Sequence, residues 1–110
     1  MIVKDGVMIN GLHPKMQIAN CKVAVIYAKR GKEFRLTGCV EYRGAKSKSL
    51  HPKGRACDWG VHCFDGEADM KDVRDEIDNA LGPDYDVILE LKGPESHIHG
   101  EYDPSNPKVI

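Results

Sequence analysis

Three of the five histidines in the 110-residue chain lie where they could act together on a bound ion and a substrate: His51, His97 and His99. Asp58 follows His51 by seven residues. Two imidazoles and one carboxylate are ligands that zinc accepts, and three protein ligands leave a fourth position for water, as in catalytic zinc sites. Such an ion lowers the pKa of a water molecule and polarises a substrate carbonyl. These residue types therefore indicate hydrolytic zinc chemistry.

A carboxylate beside the ion would complete this chemistry, because it can take a proton from water and later give it to a leaving amine. Glu90 is the natural candidate, since it lies on the strand predicted beside that of His97 and His99. Glu95, which follows Pro94 in a turn, is the alternative. On residue types alone, a solvated polar face without any ion explains the same residues equally well.

Two helices are predicted from apolar residues that recur at steps of three and four. The first has His13 as its cap, Pro14 in its first turn and Gly31 after its end. Its apolar residues are Leu12, Met16, Ala19, Val23 and Ile26. The second ends before Gly82 and Pro83. Its apolar residues are Met70, Val73, Ile77 and Leu81. The first helix is expected to serve the core and to carry no chemistry.

Strands are predicted around residues 34–36, at 56–61, and in a hairpin formed by 85–91 and 97–102. Because strand side chains alternate, the second hairpin strand should place His97, His99 and Glu101 on one polar face. Residues 41–55 form a predicted loop of 15 residues, and loops of that length are usually functional or disordered. The order of elements predicts an α+β fold, a small antiparallel sheet with packed helices.

Length and charge limit the classes of function. A chain of 110 residues predicts a single domain spanning 1–110, with its core at about 12–104. The net charge of −1, from 16 basic and 17 acidic residues, argues against a nucleic-acid-binding or membrane-surface protein, because both classes need excess positive charge.

No apolar run approaches the ~20 residues of a membrane-spanning helix, so no membrane insertion is expected. No signal peptide is visible, which predicts synthesis in the cytoplasm.

The four cysteines are expected to be reduced and mostly buried, because nothing in the sequence indicates export. They are Cys21, Cys39, Cys57 and Cys63. An even number would also allow disulfides, with three ways of pairing. The absence of a Cys-x-x-Cys pair argues against a structural zinc knuckle or a thioredoxin-type motif.

A longer motif surrounds the first two candidate ligands. Residues 49–58, SLHPKGRACD, fit S-x-H-x-x-G-x-A-x-D at every fixed position. This segment resembles the signature of zinc D-Ala-D-Ala carboxypeptidases and related phage peptidoglycan endopeptidases, which share a fold with the hedgehog signalling domain. Residues 87–90, VILE, and 96–99, SHIH, look like that family's glutamate-bearing strand and its H-x-H strand. The resemblance covers about residues 12–104.

The resemblance implies a role for each matching residue. His51, Asp58 and His99 would hold one zinc ion per chain. Glu90 would be the general base, with Glu95 as its competitor. His97 would stabilise the oxyanion of the tetrahedral intermediate.

Other positions of the motif have supporting roles. Ser49 would orient the ligands from the surrounding shell. Gly54 would allow a backbone bend, and Cys57 would point away from the site into the core. Arg43 and Arg55 are candidates for holding a substrate carboxylate, with a solvated loop as the alternative. Gly100 departs from the family pattern, because a β-branched residue is expected after the second histidine.

The function implied by the resemblance is zinc-dependent hydrolysis of the stem peptide of peptidoglycan. Either a D-Ala-D-Ala bond or an L-Ala-D-Glu bond could be the target. The protein would reach the cell wall after release in a phage lysis system or as part of a virion. The alternative is a zinc-binding structural or virion component that keeps the ligands and lacks turnover. A small binding protein without zinc would require the motif to be a coincidence.

Overall fold

The computed structural model describes residues 1–40 and 50–104, which form two helices and a five-stranded sheet. The helices are α1 (Pro14–Lys29) and α2 (Glu67–Leu81). The strands are β1 (Ile2–Val3), β2 (Arg35–Gly38), β3 (Ala56–Gly60), β4 (Tyr85–Glu90) and β5 (His97–Tyr102). This arrangement confirms the α+β class and the predicted order of helices, strands and hairpin.

The sheet has the strand order β1-β2-β3-β5-β4. Three of its four pairings are antiparallel, as predicted, but β1 runs parallel to β2, so the sheet is mixed. The expectation of a purely antiparallel sheet was therefore wrong at this edge. The N-terminal segment joins it through backbone hydrogen bonds from Ile2 to the Phe34 carbonyl and from Lys4 to the Leu36 carbonyl, 2.8 and 3.0 Å long.

Helix α1 begins and ends where its sequence predicts. The His13 ring nitrogen Nδ1 accepts a hydrogen bond from the Lys15 amide at 3.0 Å, which satisfies one of the unpaired donors of the first turn. Pro14 occupies that turn, and Gly31 follows the helix with a positive φ of 67°. The buried residues are Met16, Ala19, Val23, Ile26 and Tyr27. The four predicted to face the core within the helix are confirmed.

Both helices pack on the same face of the sheet, through side chains that alternate along the central strands. Trp59 of β3 is fully buried, and its indole Nε1 donates a hydrogen bond to Asn20 Oδ1 of α1 at 2.8 Å. Tyr27 Oη donates to the Gly60 carbonyl at 2.7 Å. Arg74 of α2 donates to the Val87 carbonyl of β4 at 3.0 Å. The helices thus cover one face of the sheet and leave the other for polar groups.

Gly100 provides the space for Trp59. A Cβ atom at position 100 would lie 2.2 Å from Cη2 and 2.5 Å from Cζ3 of the Trp59 ring. The two residues are diagonal neighbours on the helix-facing side, since Trp59 pairs with Ile98. A β-branched residue does not fit there.

Gly100→Ala is expected to lower the free energy of unfolding by about 1–3 kcal/mol, because the added methyl group overpacks a rigid ring. Urea denaturation would measure the loss. In a Trp59→Phe background the ring atoms nearest the new methyl are absent, so the same change should cost less. An equal cost in both backgrounds would mean that the contact with Trp59 is not its cause.

Within residues 1–40 and 50–104, neither helix is long and apolar enough to cross a membrane.

Candidate metal centre

The three predicted ligands meet on the sheet face that the helices leave uncovered. Asp58 of β3 and His99 of β5 are directly opposed in the sheet, and Asp58 Oδ1 lies 3.0 Å from His99 Nδ1. His51 Nε2 lies 3.4 Å from the same carboxylate oxygen. One ligand atom from each residue lies within 4.8 Å of the other two. The group could therefore hold a metal ion.

His51 reaches this face from a short 3-10 turn, His51–Lys53, just before β3. Gly54 ends the turn with a φ of 68°, and its amide donates to the His51 carbonyl at 3.0 Å. A Cβ at position 54 would lie 2.3 Å from the Gly11 carbonyl oxygen. Both the left-handed backbone and the close contact require glycine, so the predicted bend at Gly54 is confirmed. The turn leaves the His51 side chain only 2% exposed.

The remote nitrogen of each candidate histidine ligand has its own acceptor. His51 Nδ1 donates to the Cys39 carbonyl oxygen, and His99 Nε2 donates to Glu101 Oε1 at 3.0 Å. Because a carbonyl and a carboxylate only accept, these nitrogens carry the protons. With the proton on that nitrogen, each neutral ring would offer the lone pair of His51 Nε2 or His99 Nδ1 to an ion bound beside Asp58; without an ion, Asp58 accepts hydrogen bonds there. This is the ring orientation that metal-binding histidines use, and imidazole nitrogens and a carboxylate oxygen are common metal ligands.

Asp58 is ionised in this environment. Burial on its own raises the pKa of the Asp58 carboxyl, but hydrogen bonds from His51 and His99 and the positive charge of neighbouring imidazoles hold it well below its usual range. For His99 the effect of burial has the opposite sign, because it lowers the pKa of an imidazole. The adjacent Asp58 and Glu101 carboxylates outweigh this effect, so the pKa of His99 is raised overall. The deprotonated carboxylate needed in a metal site is therefore already present.

Glu90 and His97 lie beside the candidate ligands on the same face. They oppose each other in the β4–β5 hairpin, with His97 Nε2 3.5 Å from Glu90 Oε1. The same His97 nitrogen lies 3.6 Å from Asp58 Oδ1. Burial raises the pKa of Glu90, but a hydrogen bond from Lys92 and the charges of His97 and Lys92 lower it overall. Glu90 is thus an ionised carboxylate next to the ligand group.

Glu95 occupies a different position from Glu90. It ends the 3-10 turn Gly93–Glu95, where its side chain is exposed. Its backbone carbonyl accepts a hydrogen bond from His97 Nδ1 at 2.8 Å. Glu95 thus contacts His97 through its main chain, whereas Glu90 contacts His97 with its carboxylate.

A cleft of about 680 Å³ opens beside the ligand group. Asp58, His97 and Gly60 form its wall on the site side, and Lys4 and Arg35 line the part toward β1 and β2. Among the described residues, Arg55 is not part of this lining. The candidate residues Ser49 and Arg43 lie outside the described residues.

Sequence reasoning did not assign roles to Glu101, Arg35 or Lys4. Glu101 had a usable signal, because His99-x-Glu101 in a strand places both side chains on one face. Arg35 and Lys4 had none, because Arg35 reaches the cleft through the pairing of β2 with β3, and Lys4 through the pairing of β1 with β2.

Glu101→Ala is expected to weaken metal binding by about 10–100-fold, because the His99 ring loses the acceptor that fixes its orientation. Competition with a chromophoric chelator would measure the affinity. Glu95→Ala is the matched control, because the Glu95 carboxylate is exposed and lies outside the ligand group. This change should leave the metal affinity unchanged. Equal affinities for the Glu101 variant and the wild type would show that this hydrogen bond does not support the ligand.

The metal-free protein should be most stable between about pH 4 and pH 6.5. The pKa of Asp58 is lowered in the folded state, so its contribution is complete above the usual Asp value of ~3.9 and is lost as the pH falls. The pKa of His99 is raised, so its contribution is complete below the usual His value of ~6.5 and is lost as the pH rises through the folded value. Urea denaturation in the presence of a chelator, repeated over this range, is the test.

Metal binding should have the opposite dependence on pH. His51 and His99 must lose their protons to bind an ion, so metal affinity should rise through neutral pH and fall as the solution becomes acidic. Full metal occupancy at strongly acidic pH would contradict histidine ligands.

For the metal-free protein, a free energy of unfolding that does not change above pH 6.5 would contradict the raised pKa of His99.

No family model, curated protein or solved structure matches this chain.

Proposed function

We propose that the chain is a zinc-dependent peptidase with the hedgehog/DD-peptidase fold, and that it hydrolyses peptide bonds of bacterial peptidoglycan. One observation carries the proposal: Asp58, His99 and His51 converge on one sheet face together with Glu90 and His97. Polar residues that only solvate a sheet face need not combine a ligand group with a neighbouring carboxylate and a neighbouring imidazole, whereas a hydrolytic metal site requires all three.

The ligand group suits a zinc ion held by His51, Asp58 and His99. Its atoms are two imidazole nitrogens and one carboxylate oxygen, which is a ligand set of catalytic rather than structural zinc sites. When bound, zinc would polarise the scissile carbonyl and lower the pKa of a water molecule. The enclosure of His51 and the two hydrogen bonds to the remote ring nitrogens would hold the ligands in place for this.

Glu90 is the general base in this proposal. Its low pKa keeps the carboxylate deprotonated, so it is able to accept a proton from the attacking water. The same carboxyl group then gives the proton to the leaving amine. Its side chain is 31% exposed, which leaves it accessible to water and substrate beside the cleft.

His97 stabilises the negative charge that forms on the carbonyl oxygen. Its Nδ1 proton is held by the Glu95 carbonyl, so its Nε2 can donate a hydrogen bond only from the doubly protonated ring. The Asp58 and Glu90 carboxylates lie 3.6 and 3.5 Å from that nitrogen. His97 is thus placed as a cationic hydrogen-bond donor rather than as a metal ligand.

The cleft next to His97 would take the stem peptide. Its 680 Å³ volume is in the range of small-molecule and cofactor pockets. Arg35 and Lys4 lie on its lining, and a guanidinium is well suited to a substrate carboxylate. In this proposal Arg35 and Lys4 bind the substrate carboxylate, the role for which Arg43 and Arg55 were the candidates from the sequence. The protein would meet this substrate after release from the cell or as part of a virion.

The test is incubation of the zinc-loaded protein with a defined muropeptide, followed by mass analysis of the products. Release of D-Ala would indicate a carboxypeptidase, and a new amine within the stem would indicate an endopeptidase. Chelator-treated protein is the control. Tight zinc binding without any product from muropeptides or whole peptidoglycan would instead support the non-catalytic zinc-binding component.

A further inference from the structure

Two cysteines lie in contact directly behind the candidate ligands. Cys39 and Cys57 are both fully buried, and their Sγ atoms are 2.9 Å apart. That separation is shorter than the roughly 3.5–4.0 Å at which even carbon atoms make non-bonded contact, and sulfur is larger than carbon. Two separate thiols are therefore crowded at this position.

The sheet register explains how the two cysteines meet. Gly38 pairs with Asp58 in the antiparallel β2–β3 pair, and Cys39 and Cys57 are the next residues along each chain segment, so the register brings them close together. Directly opposed residues of antiparallel strands have Cα atoms about 4.5–5.5 Å apart. This range lies within the roughly 4.4–6.8 Å that disulfides span. The two Sγ atoms, 2.9 Å apart, need to approach by only about 1 Å to reach the roughly 2.0 Å of a disulfide bond.

We infer that Cys39 and Cys57 are a disulfide-forming pair, and that oxidation cross-links β2 to β3 behind the candidate metal centre. The other two cysteines differ, because Cys21 is exposed and Cys63 is partly buried. The Cys39 carbonyl accepts the hydrogen bond of His51, and Cys57 immediately precedes Asp58. The cross-link would therefore join the backbone segments that support two of the three candidate ligands. The inference does not depend on the peptidase proposal.

The cross-link forms by exchange with a small disulfide such as oxidised glutathione. One cysteine thiolate attacks the glutathione disulfide, which gives a mixed disulfide and releases one glutathione. The second cysteine thiolate then attacks the protein sulfur of the mixed disulfide and releases the other glutathione. The two protein thiols are oxidised by two electrons, and their protons end on the two glutathione thiols. Because both thiols are buried, exchange requires the chain to be unfolded or locally open.

The experiment is refolding of the full chain from denaturant in a glutathione redox buffer, followed by alkylation under denaturing conditions and peptide mapping. The expected product has labels on Cys21 and Cys63 and one peptide pair linked through Cys39 and Cys57. Its thermal midpoint should exceed that of the reduced protein by on the order of 10 °C, because the cross-link restricts the unfolded chain.

Two double variants distinguish this pair from the other cysteines. The variant C21S/C63S keeps the buried pair and should form the same cross-link with the same shift in midpoint. The variant C39S/C57S should have a midpoint that does not respond to oxidation. The peptide map of the wild-type chain decides the question even if the second variant does not fold. Four labelled cysteines after oxidative refolding, or a linkage that involves Cys21 or Cys63, would overturn the inference.

Discussion

Glu90→Gln is expected to lower the rate of peptide hydrolysis by about 10²–10⁴-fold while the protein keeps its fold and its zinc. The amide has nearly the shape of the carboxylate, so it fits the same place on β4, but it cannot take a proton from water. Glu90 lies outside the ligand group of His51, Asp58 and His99, so the metal should stay. The measurements are kcat on a defined muropeptide, zinc content and the thermal midpoint.

Glu95→Gln is the matched control for this experiment. Both residues are glutamates near His97, but the Glu95 side chain is exposed and contacts the site through its main-chain carbonyl, which the substitution leaves in place. Glu95 also lines the cleft, so a change in KM would be an effect on substrate binding, whereas its kcat should stay within a small factor of the wild-type value. If instead Glu95→Gln stops the reaction and Glu90→Gln does not, the base has been assigned to the wrong carboxylate. An active preparation that tolerates both changes would overturn the carboxylate mechanism.

The elements with strong periodic patterns were predicted well from the sequence. Both helices and the hairpin have apolar residues at regular steps, and capping residues mark the ends of α1. Strand β1 was not predicted, because two residues are too short for an alternating pattern. Its parallel pairing with β2 is made by main-chain hydrogen bonds, which form whatever the side chains are. The amino-acid sequence therefore does not indicate this pairing.

The site was predictable where it depends on alternation along one strand. His97, His99 and Glu101 share a face because they are two residues apart. The pairing of Asp58 with His99 is different, because it depends on which residues of β3 and β5 are opposed, and that register is a property of the folded sheet. The hydrogen bond from His51 to the Cys39 carbonyl involves the main chain of a distant residue, so no side-chain motif could indicate it.

His99→Ala is expected to remove the bound metal and the stability that it adds. The change takes away one of the three ligand atoms, and a ligand group of His51 and Asp58 alone leaves half of a four-coordinate zinc site to water. A metal that binds only the folded state stabilises it by about 2.7 kcal/mol at a concentration of one hundred times its dissociation constant. In the variant this metal-dependent stabilisation should disappear. Zinc content after dialysis and urea denaturation with and without zinc are the measurements.

His62→Ala is the control, because His62 is an exposed histidine outside the ligand group. It should keep both the zinc and the zinc-dependent stability. Since removal of His99 also breaks contacts with Asp58 and Glu101, the comparison that matters is the change in stability on adding zinc rather than the stability itself. X-ray absorption of the wild-type protein should show nitrogen and oxygen neighbours around the zinc. Sulfur neighbours, or zinc retained at full occupancy by His99→Ala, would mean that other residues hold the ion and that the polar sheet face is not the metal site.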